Sequence, residues 1–325
     1  MKKNVLLFMI ALLPLSLSAQ FDGIVGSEGC KALHCDDVRF VEWATGCNVM
    51  RGYMNIALQG GFANYGEDDA AIGKVTESTT ECVSLGDGGK AVLTFQTPIA
   101  NGAGYDFAVF ENSLNDTFLE LAFVEVSSDG ENYFRFPAVS NTQTATQIGG
   151  FGTLDATKLH NLAGKHRAGW GTPFDLDDLP DNDNLDKNNV RFVRIVDVVG
   201  AINPDFATYD SQGNIVNDPY PTDFASSGFD LSGVGVINNQ NNLHSAVAEI
   251  GEIQVSVFPN PCVNTLFINA SNCNILLYNA LGQQLQHFQS TESLLQLNMS
   301  DYSTGVYFIE LQTKNSKKVV KIIKQ

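Results

Sequence analysis

Short runs of β-branched and aromatic residues, each bounded by turn-forming residues, constrain the fold of this chain more than any other feature. Such runs are typical of β-strands, and the Asn-Gly, Asp-Gly and Asn-Pro pairs between them are typical of turns. No convincing amphipathic helix of more than two turns is present. The pattern therefore predicts an all-β fold with a jelly-roll-like β-sandwich body. The predicted strands are 91–96, 105–110, 119–127, 133–136, 190–198 and 229–237.

One of these runs is apolar on both faces. Leu119, Leu121 and Phe123 alternate with Ala122, Val124 and Val126, and residues of a strand point to opposite faces in turn. We therefore expect this strand to be buried on both sides and to lie centrally in its sheet.

The amino-terminal residues have the pattern of a secretory signal peptide. Lys2 and Lys3 precede an apolar run over 5–15, and Ser18-Ala19 supplies the small residues of a cleavage site. Residues 1–19 are thus predicted to be removed. No stretch approaches the roughly 18 apolar residues of a membrane-spanning helix.

The carboxyl-terminal region, 254–325, carries four motifs in order: Phe258-Pro259-Asn260-Pro261, a turn at 278–282, Gly305-Val306-Tyr307-Phe308 and a lysine-rich end at 317–324. In this order and spacing they closely resemble the type A C-terminal sorting domain of type IX secretion, which carries cargo across the outer membrane of certain Gram-negative bacteria. The resemblance implies a small Ig-like β-sandwich, the type IX machinery as partner, and export to the outer-membrane surface or the medium. A lysine-rich end alone has a second interpretation, an edge strand whose charges block edge-to-edge pairing. The motif residues are Pro259, Asn260, Pro261, Gly282, Gly305, Val306, Tyr307, Lys321 and Lys324.

Charge separates the tail from the rest of the chain. Residues 20–253 hold 12 basic and 33 acidic residues, whereas 254–325 hold five lysines and three acidic residues. Phosphate binding needs a cationic surface. A region this acidic therefore argues against nucleic acid as a partner. We expect a cysteine-containing segment at 20–69 that packs on the body, a sandwich at 70–237, and an Asn-rich linker at 238–253.

Six cysteines follow the signal peptide, which fits an oxidising compartment. Cys262 and Cys273 are the two cysteines of the sorting domain and are predicted to bond to each other. Sequence cannot choose among the three pairings of the other four, of which we favour Cys30 with Cys35 and Cys47 with Cys82. A zinc site is the alternative, although no CxxC spacing occurs.

The body has a resemblance of its own, to a group of secreted bacterial surface proteins without a settled activity. Several phrases also resemble discoidin-like, galactose-binding-type jelly rolls, in which a strand ending in S-x-D-G is followed later by V-R-I. This resemblance implies a binding module by analogy of fold. The phrases lie at 84–89, 106–112, 124–130, 193–197 and 228–231.

Two acidic loops suggest calcium, because alternate oxygen-bearing side chains on a turn suit a hard cation. The loop at 210–218 has EF-hand-like alternation, but its glycine is at 213 and no closing glutamate follows. The alternative is that both loops are solvated and form Asx turns. The candidate ligands are Asp210, Gln212, Asn214 and Asp218, and Asp175, Asp177, Asp181 and Asp183 of the second loop.

A basic loop at 160–174 stands out in the acidic body. Lys165, His166 and Arg167 precede Trp170, which has glycines on both sides. Trp170 is a candidate stacking platform for a sugar or another flat ligand, with the three basic residues beside it. In the alternative interpretation the cations pair with the acids of 175–186 and Trp170 plugs the sandwich edge.

These features favour an exported, calcium-stabilised binding or adhesion module, with an extracellular glycan or surface polymer as ligand. No G-x-S-x-G, H-E-x-x-H or G-x-x-x-x-G-K-[ST] motif occurs, and the five histidines are scattered. We therefore expect no enzyme. The alternatives are a secreted hydrolase acting on polysaccharide, since paired carboxylates are available among so many acids, and a purely structural surface-layer protein.

Overall fold

The computed structural model describes residues 21–243, 256–269, 273–290, 294–312 and 317–325. It divides into two compact units, a body that ends at Leu243 and a carboxyl-terminal unit from His244 onward. The protein is nearly all β, with 38% strand, which confirms the predicted fold class. The predicted signal peptide and most of the predicted linker lie outside the described residues. No helix among those residues has the length and apolarity needed to cross a bilayer.

Thirteen strands build the body, and all their pairings are antiparallel. The strands are β1 (Leu33–His34), β2 (Glu42–Trp43), β3 (Gly46–Met50), β4 (Val83–Ser84), β5 (Lys90–Ile99), β6 (Phe107–Glu111), β7 (Ala122–Ser127), β8 (Phe134–Arg135), β9 (Val139–Ser140), β10 (Leu159–His160), β11 (Trp170–Phe174), β12 (Val190–Asp197) and β13 (Asp230–Val236).

Two large sheets and one small sheet arrange these strands. One sheet has the order β1-β11-β6-β13-β2, with β4 also paired to β13, and the other has the order β3-β5-β12-β7-β8. Strands β9 and β10 form a separate pair. The main core contains Phe107 and Val109 of the first sheet together with Leu93 and Val193 of the second. Burial of these apolar faces against each other holds the sandwich together.

Strand β7 is apolar on both faces, as its alternation predicts. Val124 and Val126 lie in the main core, whereas Phe123 lies in a second cluster with Leu119, Leu121 and residues of the 154–162 segment. The expected central position is wrong, because β12 is the centre of this sheet and β7 is second from its edge. The long connections of the body cover the outer face of β7 in place of a further sheet.

Helical structure in the described part of the body is short. Three 3-10 helices span Asp68–Ala71, Ala156–Lys158 and Leu176–Asp178, and one α-helical turn spans Gln240–Leu243. The asparagine run before and within that turn is bound to the body. Asn238 donates to Asp106 Oδ1 at 2.9 Å, and Asn239 donates to Glu42 Oε2 at 3.0 Å. Residues 238–242 of the predicted linker therefore belong to the compact body.

The carboxyl-terminal unit is a separate small β-sandwich. Its strands are β14 (Ser256–Phe258), β15 (Thr265–Asn269), β16 (Cys273–Asn279), β17 (Gln284–Ser290), β18 (Leu294–Asn298), β19 (Gly305–Gln312) and β20 (Lys317–Lys324). They form one sheet of order β14-β15-β18 and another of order β17-β16-β19-β20. Leu266, Ile275, Ile309 and Ile322 share its core.

The first and last motifs of this unit meet. Asn260 accepts a hydrogen bond from the Ile323 amide at 2.9 Å and donates one to the Lys321 carbonyl at 2.8 Å. Cys262 and Lys324 form a parallel bridge beside them. Gly282 has a φ of +79°, which suits the tight turn between β16 and β17. Tyr307 packs edge-on against Tyr302 and donates to the Ser303 carbonyl.

All six cysteines have free thiols in the structure, which differs from the predicted disulfide bonds. Cys47 lies on β3 against the main core, whereas Cys82 lies 3.1 Å from the Asn112 side-chain nitrogen, in other surroundings. Cys30 and Cys35 each join a different cluster of potential metal ligands. Cys262 and Cys273 are both buried in the carboxyl-terminal core without a bond between them.

Candidate functional site

Besides Asp106 and Asp210, six carboxylates are buried inside the body without an ion-pair partner. None of the ion pairs among the described residues involves them. Acidic side chains are almost never this buried unless they are paired or bind a ligand. Each is less than a tenth exposed: Asp87, Glu111, Glu120, Asp197, Asp218 and Asp230.

Asp197 and Asp218, which we call the inner carboxylates, accept hydrogen bonds from backbone amides. Asp197 accepts hydrogen bonds from the Phe229 and Gly88 amides at 2.8 and 2.9 Å, and Asp218 accepts one from the Leu121 amide at 2.7 Å. Burial, together with the neighbouring Asp87 charge, raises the pKa of Asp197 to about 8. These residues fix the loops that surround the outer carboxylates.

Glu111, Glu120 and Asp230, which we call the outer carboxylates, come together because the ends of their strands lie side by side. Glu111 ends β6 and Asp230 begins β13, and these antiparallel neighbours place Glu111 opposite Leu231. Glu120 lies two residues before β7. Gly164, at a φ of +82°, lets the following loop approach so closely that a Cβ there would clash with the Glu120 carbonyl oxygen.

Glu120 and Asp230 line a cavity of about 300 Å³, which we call the acidic pocket. Its wall and rim are aromatic. Phe151 is 78% exposed and lies between Phe118 and Phe224, at ring-centroid distances of 6.3 and 5.3 Å. The other lining residues are Tyr65, Thr79, Asn112, Leu114, Gly150, Thr222 and Ser226.

The two carboxyl groups of the acidic pocket differ in their environment. Burial, followed by the charges of Asp230 and Glu111, raises the pKa of Glu120 well above its usual range. Burial raises the pKa of Asp230 less, to about 6, because hydrogen bonds from Ser84 and Asn112 favour its charged form. Burial thus favours the protonated form of Glu120, which can donate a hydrogen bond, more strongly than it favours that of Asp230.

Glu111 lies behind the pocket with unused hydrogen-bonding capacity. Its Oε2 accepts from the Ser113 amide at 2.8 Å, but its buried Oε1 has no partner. Burial, then the Asp230 charge, raises the pKa of Glu111 well above its usual range, which favours its protonated form. The arrangement as a whole suits hydroxyl groups or a cation, and it disfavours an anion.

The basic loop does not reach the acidic pocket. Lys165 is buried, with Nζ 2.7 Å from Asp22 Oδ1 and 2.8 Å from the Leu159 carbonyl. Arg167 pairs with Asp116 at 2.7 Å. These cations therefore pair with Asp22 and Asp116, and the expected pairing with the acids of 175–186 is wrong.

His166 and Trp170 are not exposed platforms either. His166 is 2% exposed, and burial lowers its pKa to about 4, so the ring is neutral. Trp170 is half-buried on β11 and packs edge-on against His34 at 4.8 Å. A second cavity, of about 210 Å³, lies beside Lys165 and His166, and Trp170 does not line it.

The predicted calcium ligands are occupied by local hydrogen bonds. Asp210 accepts from the Gln212, Asn214 and Ser140 amides at 2.8–3.0 Å. In the second loop Asp175 caps a 3-10 helix through the Asp177 amide, Asp177 accepts from Asn101, and Asp181 pairs with Lys187. Asp183 is exposed. Among the described residues, neither group of converging metal-ligating side chains contains these acids. Calcium binding stays a prediction.

Sequence reasoning missed the outer carboxylates, although their signal was present. Glu111, Asn112, Asp197 and Asp230 all lie in the phrases that resemble bacterial surface proteins, at or next to strand ends. An acid directly joined to an apolar strand is either exposed or buried at a cost, and only the second case marks a site. Sequence alone does not separate the two cases.

Comparison with known proteins identifies the carboxyl-terminal unit. Residues 256–325 match the family described as a secretion system C-terminal sorting domain. This match confirms the predicted sorting domain and indicates a secreted or surface protein that uses the type IX machinery. No curated protein matches the chain significantly. The discoidin-like resemblance of the body is not confirmed.

Several solved structures are similar to parts of this chain at low identity and low TM-score. PorZ, a surface component of the type IX secretion system of Porphyromonas gingivalis, is 16% identical over 29% of this chain and 14% of its own, with a TM-score of 0.21. The β-glucuronidase of Ruminococcus gnavus is 11% identical over 72% and 36%, with a TM-score of 0.21. The BSP domain of a biofilm-associated protein is 11% identical over 87% and 52%, with a TM-score of 0.20. This chain spans about half or less of each of those chains.

Proposed function

We propose that this exported protein is a glycan-binding module, and that the acidic pocket is its binding site. The observation that carries the proposal is the exposed aromatic rim above buried carboxyls that have no cation. A sugar has both complements, since its C–H face packs on an aromatic ring and its hydroxyl groups donate to carboxylates. Two carboxyls whose protonated forms are favoured to different degrees can supply a hydrogen-bond donor and an acceptor to the same sugar ring.

The charge of the pocket limits the ligand. Glu120 and Asp230 line it, and an anionic ligand would lie against the Asp230 carboxylate in a desolvated site, where like charges oppose binding. Polymers of uronic acids are therefore disfavoured. Neutral hexose polymers, or polymers that carry amino sugars, fit the carboxyls and the rim.

Binding is favoured over hydrolysis by the state of Asp230. Both of its carboxylate oxygens already accept hydrogen bonds, from Ser84 and from Asn112 Nδ2 at 3.0 Å. A glycosidase nucleophile needs a carboxylate oxygen directed at the sugar carbon. One observation supports hydrolysis as the second candidate: Glu120 and Asp230 have pKa values pushed apart in one pocket, as acid and nucleophile do.

Affinity electrophoresis of the mature chain tests the proposal, with gels that contain neutral glucan, galactan, mannan or polyuronate. We expect at least one neutral polymer to retard the protein and polyuronate not to do so. Phe151→Ala removes an exposed stacking ring worth about 0.5–1.5 kcal/mol beyond its area burial. Its dissociation constant should rise about three- to tenfold or more.

The matched control is Phe62→Ala. Phe62 is 57% exposed and stacks on Tyr53, but it lies outside the pocket. Equal weakening by both substitutions, or retardation by no polymer, would contradict glycan binding at this site. Release of reducing ends that Glu120→Gln abolishes would instead establish the hydrolase.

A further inference from the structure

A second site lies where the start of the described chain meets the basic loop. Carboxylate oxygen of Asp22, Sγ of Cys30 and a ring nitrogen of His166 all lie within 4.8 Å of one another. Asp22 and Cys30 come from the amino-terminal segment, and His166 comes from the loop after β10. Three side chains that are distant in sequence thus converge.

His166 has no hydrogen bond to account for its burial. Its side chain is 1% exposed, and its Nδ1 is buried without a partner. Its Nε2 lies 3.9 Å from Asp22 Oδ2, which is beyond hydrogen-bonding distance. Buried polar atoms are almost always satisfied, but neither ring nitrogen has the protein partner that a buried imidazole normally has, and Nε2 is the one directed to Asp22.

We propose that Asp22, Cys30 and His166 bind a divalent transition metal of the zinc class. Thiolate, imidazole and carboxylate are the ligand types that zinc takes in proteins. Bonds of about 2.0–2.1 Å to nitrogen and oxygen place two tetrahedral ligand atoms roughly 3.3 Å apart. The 3.9 Å separation of Asp22 Oδ2 and His166 Nε2 is therefore closed by a shift of a few tenths of an ångström from each side.

Lys165 positions the carboxylate for this role. Its ammonium binds Asp22 Oδ1 at 2.7 Å and is itself held by the Leu159 carbonyl at 2.8 Å. Oδ2, on the side of His166, accepts one long hydrogen bond, from the Lys31 amide at 3.2 Å, and keeps a lone pair for the metal. Hydrogen-bond partners of this kind orient the residues that bind a metal and determine which of their atoms faces it.

The fourth coordination position has space beside it. Asp22 and His166 both line the 210 Å³ cavity, whose wall also contains Tyr105, His160 and Lys31. Three protein ligands with an open fourth position are the arrangement of metal sites that hold water or an exogenous ligand. The bound metal would also join the amino-terminal segment to the 161–169 loop.

A nucleophilic Cys-His-Asp triad is the rival explanation for the same three residues. Such a triad needs the imidazole to be hydrogen-bonded to its orienting carboxylate. Here His166 Nε2 lies 3.9 Å from Asp22 Oδ2 and His166 Nδ1 has no partner, so the imidazole has no hydrogen bond to the carboxylate. Metal binding is therefore favoured.

A neighbouring cluster of similar composition serves as the control. His34, Cys35 and Asp36 also converge, but their groups have protein partners. His34 Nε2 lies 3.0 Å from Glu77, and Asp36 pairs with Lys74 at 2.6 Å. Cys35→Ser therefore removes a thiol from the same region without touching the proposed site.

The experiment uses the reduced, chelator-treated mature chain and titrates it with Co²⁺, then Zn²⁺. We expect one equivalent of Co²⁺ to give a thiolate-to-cobalt charge-transfer absorption that Zn²⁺ abolishes. Cys30→Ala should remove that absorption, and Cys35→Ser should leave it. Cobalt binding without the absorption, its persistence in Cys30→Ala, or no binding at all would overturn the site.

A second measurement needs no substituted protein. Alkylation of Cys30, followed by peptide mass spectrometry, reports whether its thiol is bound. Zinc at a concentration of about 100 times its dissociation constant leaves roughly 1% of the site free, so alkylation of Cys30 should slow about a hundredfold. Alkylation of Cys30 at an unchanged rate under saturating zinc contradicts the proposal, even if Cys30→Ala does not fold.

Discussion

Two neighbouring cations of the basic loop have the same kind of partner and very different surroundings. The Lys165 side chain is 3% exposed in its pair with Asp22, whereas the Arg167 side chain is 39% exposed in its pair with Asp116. An exposed pair contributes little because water and salt screen it. Breaking a buried pair leaves an uncompensated charge in the interior.

We therefore expect Lys165→Met to lower the free energy of unfolding by about 3–5 kcal/mol, and Arg167→Met to lower it by at most about 1 kcal/mol. Urea unfolding followed by tryptophan fluorescence measures this loss in the body alone, because both tryptophans, Trp43 and Trp170, lie there. Equal losses in the two variants would show that the Lys165 pair is not effectively buried.

At the scale of elements, β20 connects the start of the sorting domain to strand β19. It pairs along its full length with β19, and Asn260 and Cys262 bind its other side. Deletion of 317–325 removes this strand and leaves Ile309 and Leu311 without their cover. The export signal should be lost with it.

We expect the deleted protein to accumulate in the periplasm, and Asn260→Ala to reduce export less severely because it removes only two hydrogen bonds. Leu281→Ala, at a residue 84% exposed in the β16–β17 turn, is the control that should export normally. Immunoblots of periplasm, cell surface and medium measure the distribution. If the protein without 317–325 reached the cell surface in normal amounts, export would not depend on β20.

Strands with a strong local pattern were predictable from sequence. The prediction of 190–198 corresponds to β12 at Val190–Asp197, and that of 229–237 corresponds to β13 at Asp230–Val236. In contrast β11 was missed, because Gly171 and Pro173 argue against a strand. The structure tolerates Pro173 because β1 pairs only with Trp170 and Gly171, so no second strand lies opposite the proline nitrogen.

The candidate site was much less predictable than the strands. Glu120 and Asp230 are 110 residues apart, and only the pairing of β6, β13 and the 160–164 loop brings them to one pocket. Phe118, Phe151 and Phe224 come from three different connections. Local patterns carry no information on such long-range contacts.

At the scale of the molecule, buried carboxyls make the stability of the body depend on pH. A carboxyl whose pKa is raised by folding stabilises the protein below its unfolded pKa, and this contribution is lost as pH rises through its folded pKa. Burial raises the pKa of Asp87 to about 7 and that of Asp197 to about 8. His160 and the buried His166 have lowered pKa values, so above pH 7 both are neutral in the folded state, and a histidine with the ordinary pKa of about 6.5 is mostly neutral in the unfolded state as well.

We therefore expect the melting temperature of the body to fall as pH rises from 7 to 8. Asp197→Asn removes the buried acid whose pKa is raised to about 8 and should flatten this slope, whereas Glu28→Gln, at an exposed residue, should not. Differential scanning calorimetry of the three proteins across this range measures the effect. If the melting temperature of the unsubstituted protein stayed constant or rose over this pH range, these carboxyls would not have the raised pKa values that their burial implies.

The pairing of β13 has a consequence for the order in which the body folds. This strand joins β6, β4 and β2, and its contact with β2 places Gly235 opposite Trp43 across nearly the whole body. Loops of that length close slowly, and folds dominated by such pairings form in milliseconds to seconds. Asp230 comes beside Glu111 only when β13 pairs with β6, so the acidic pocket does not exist before this long-range pairing has formed.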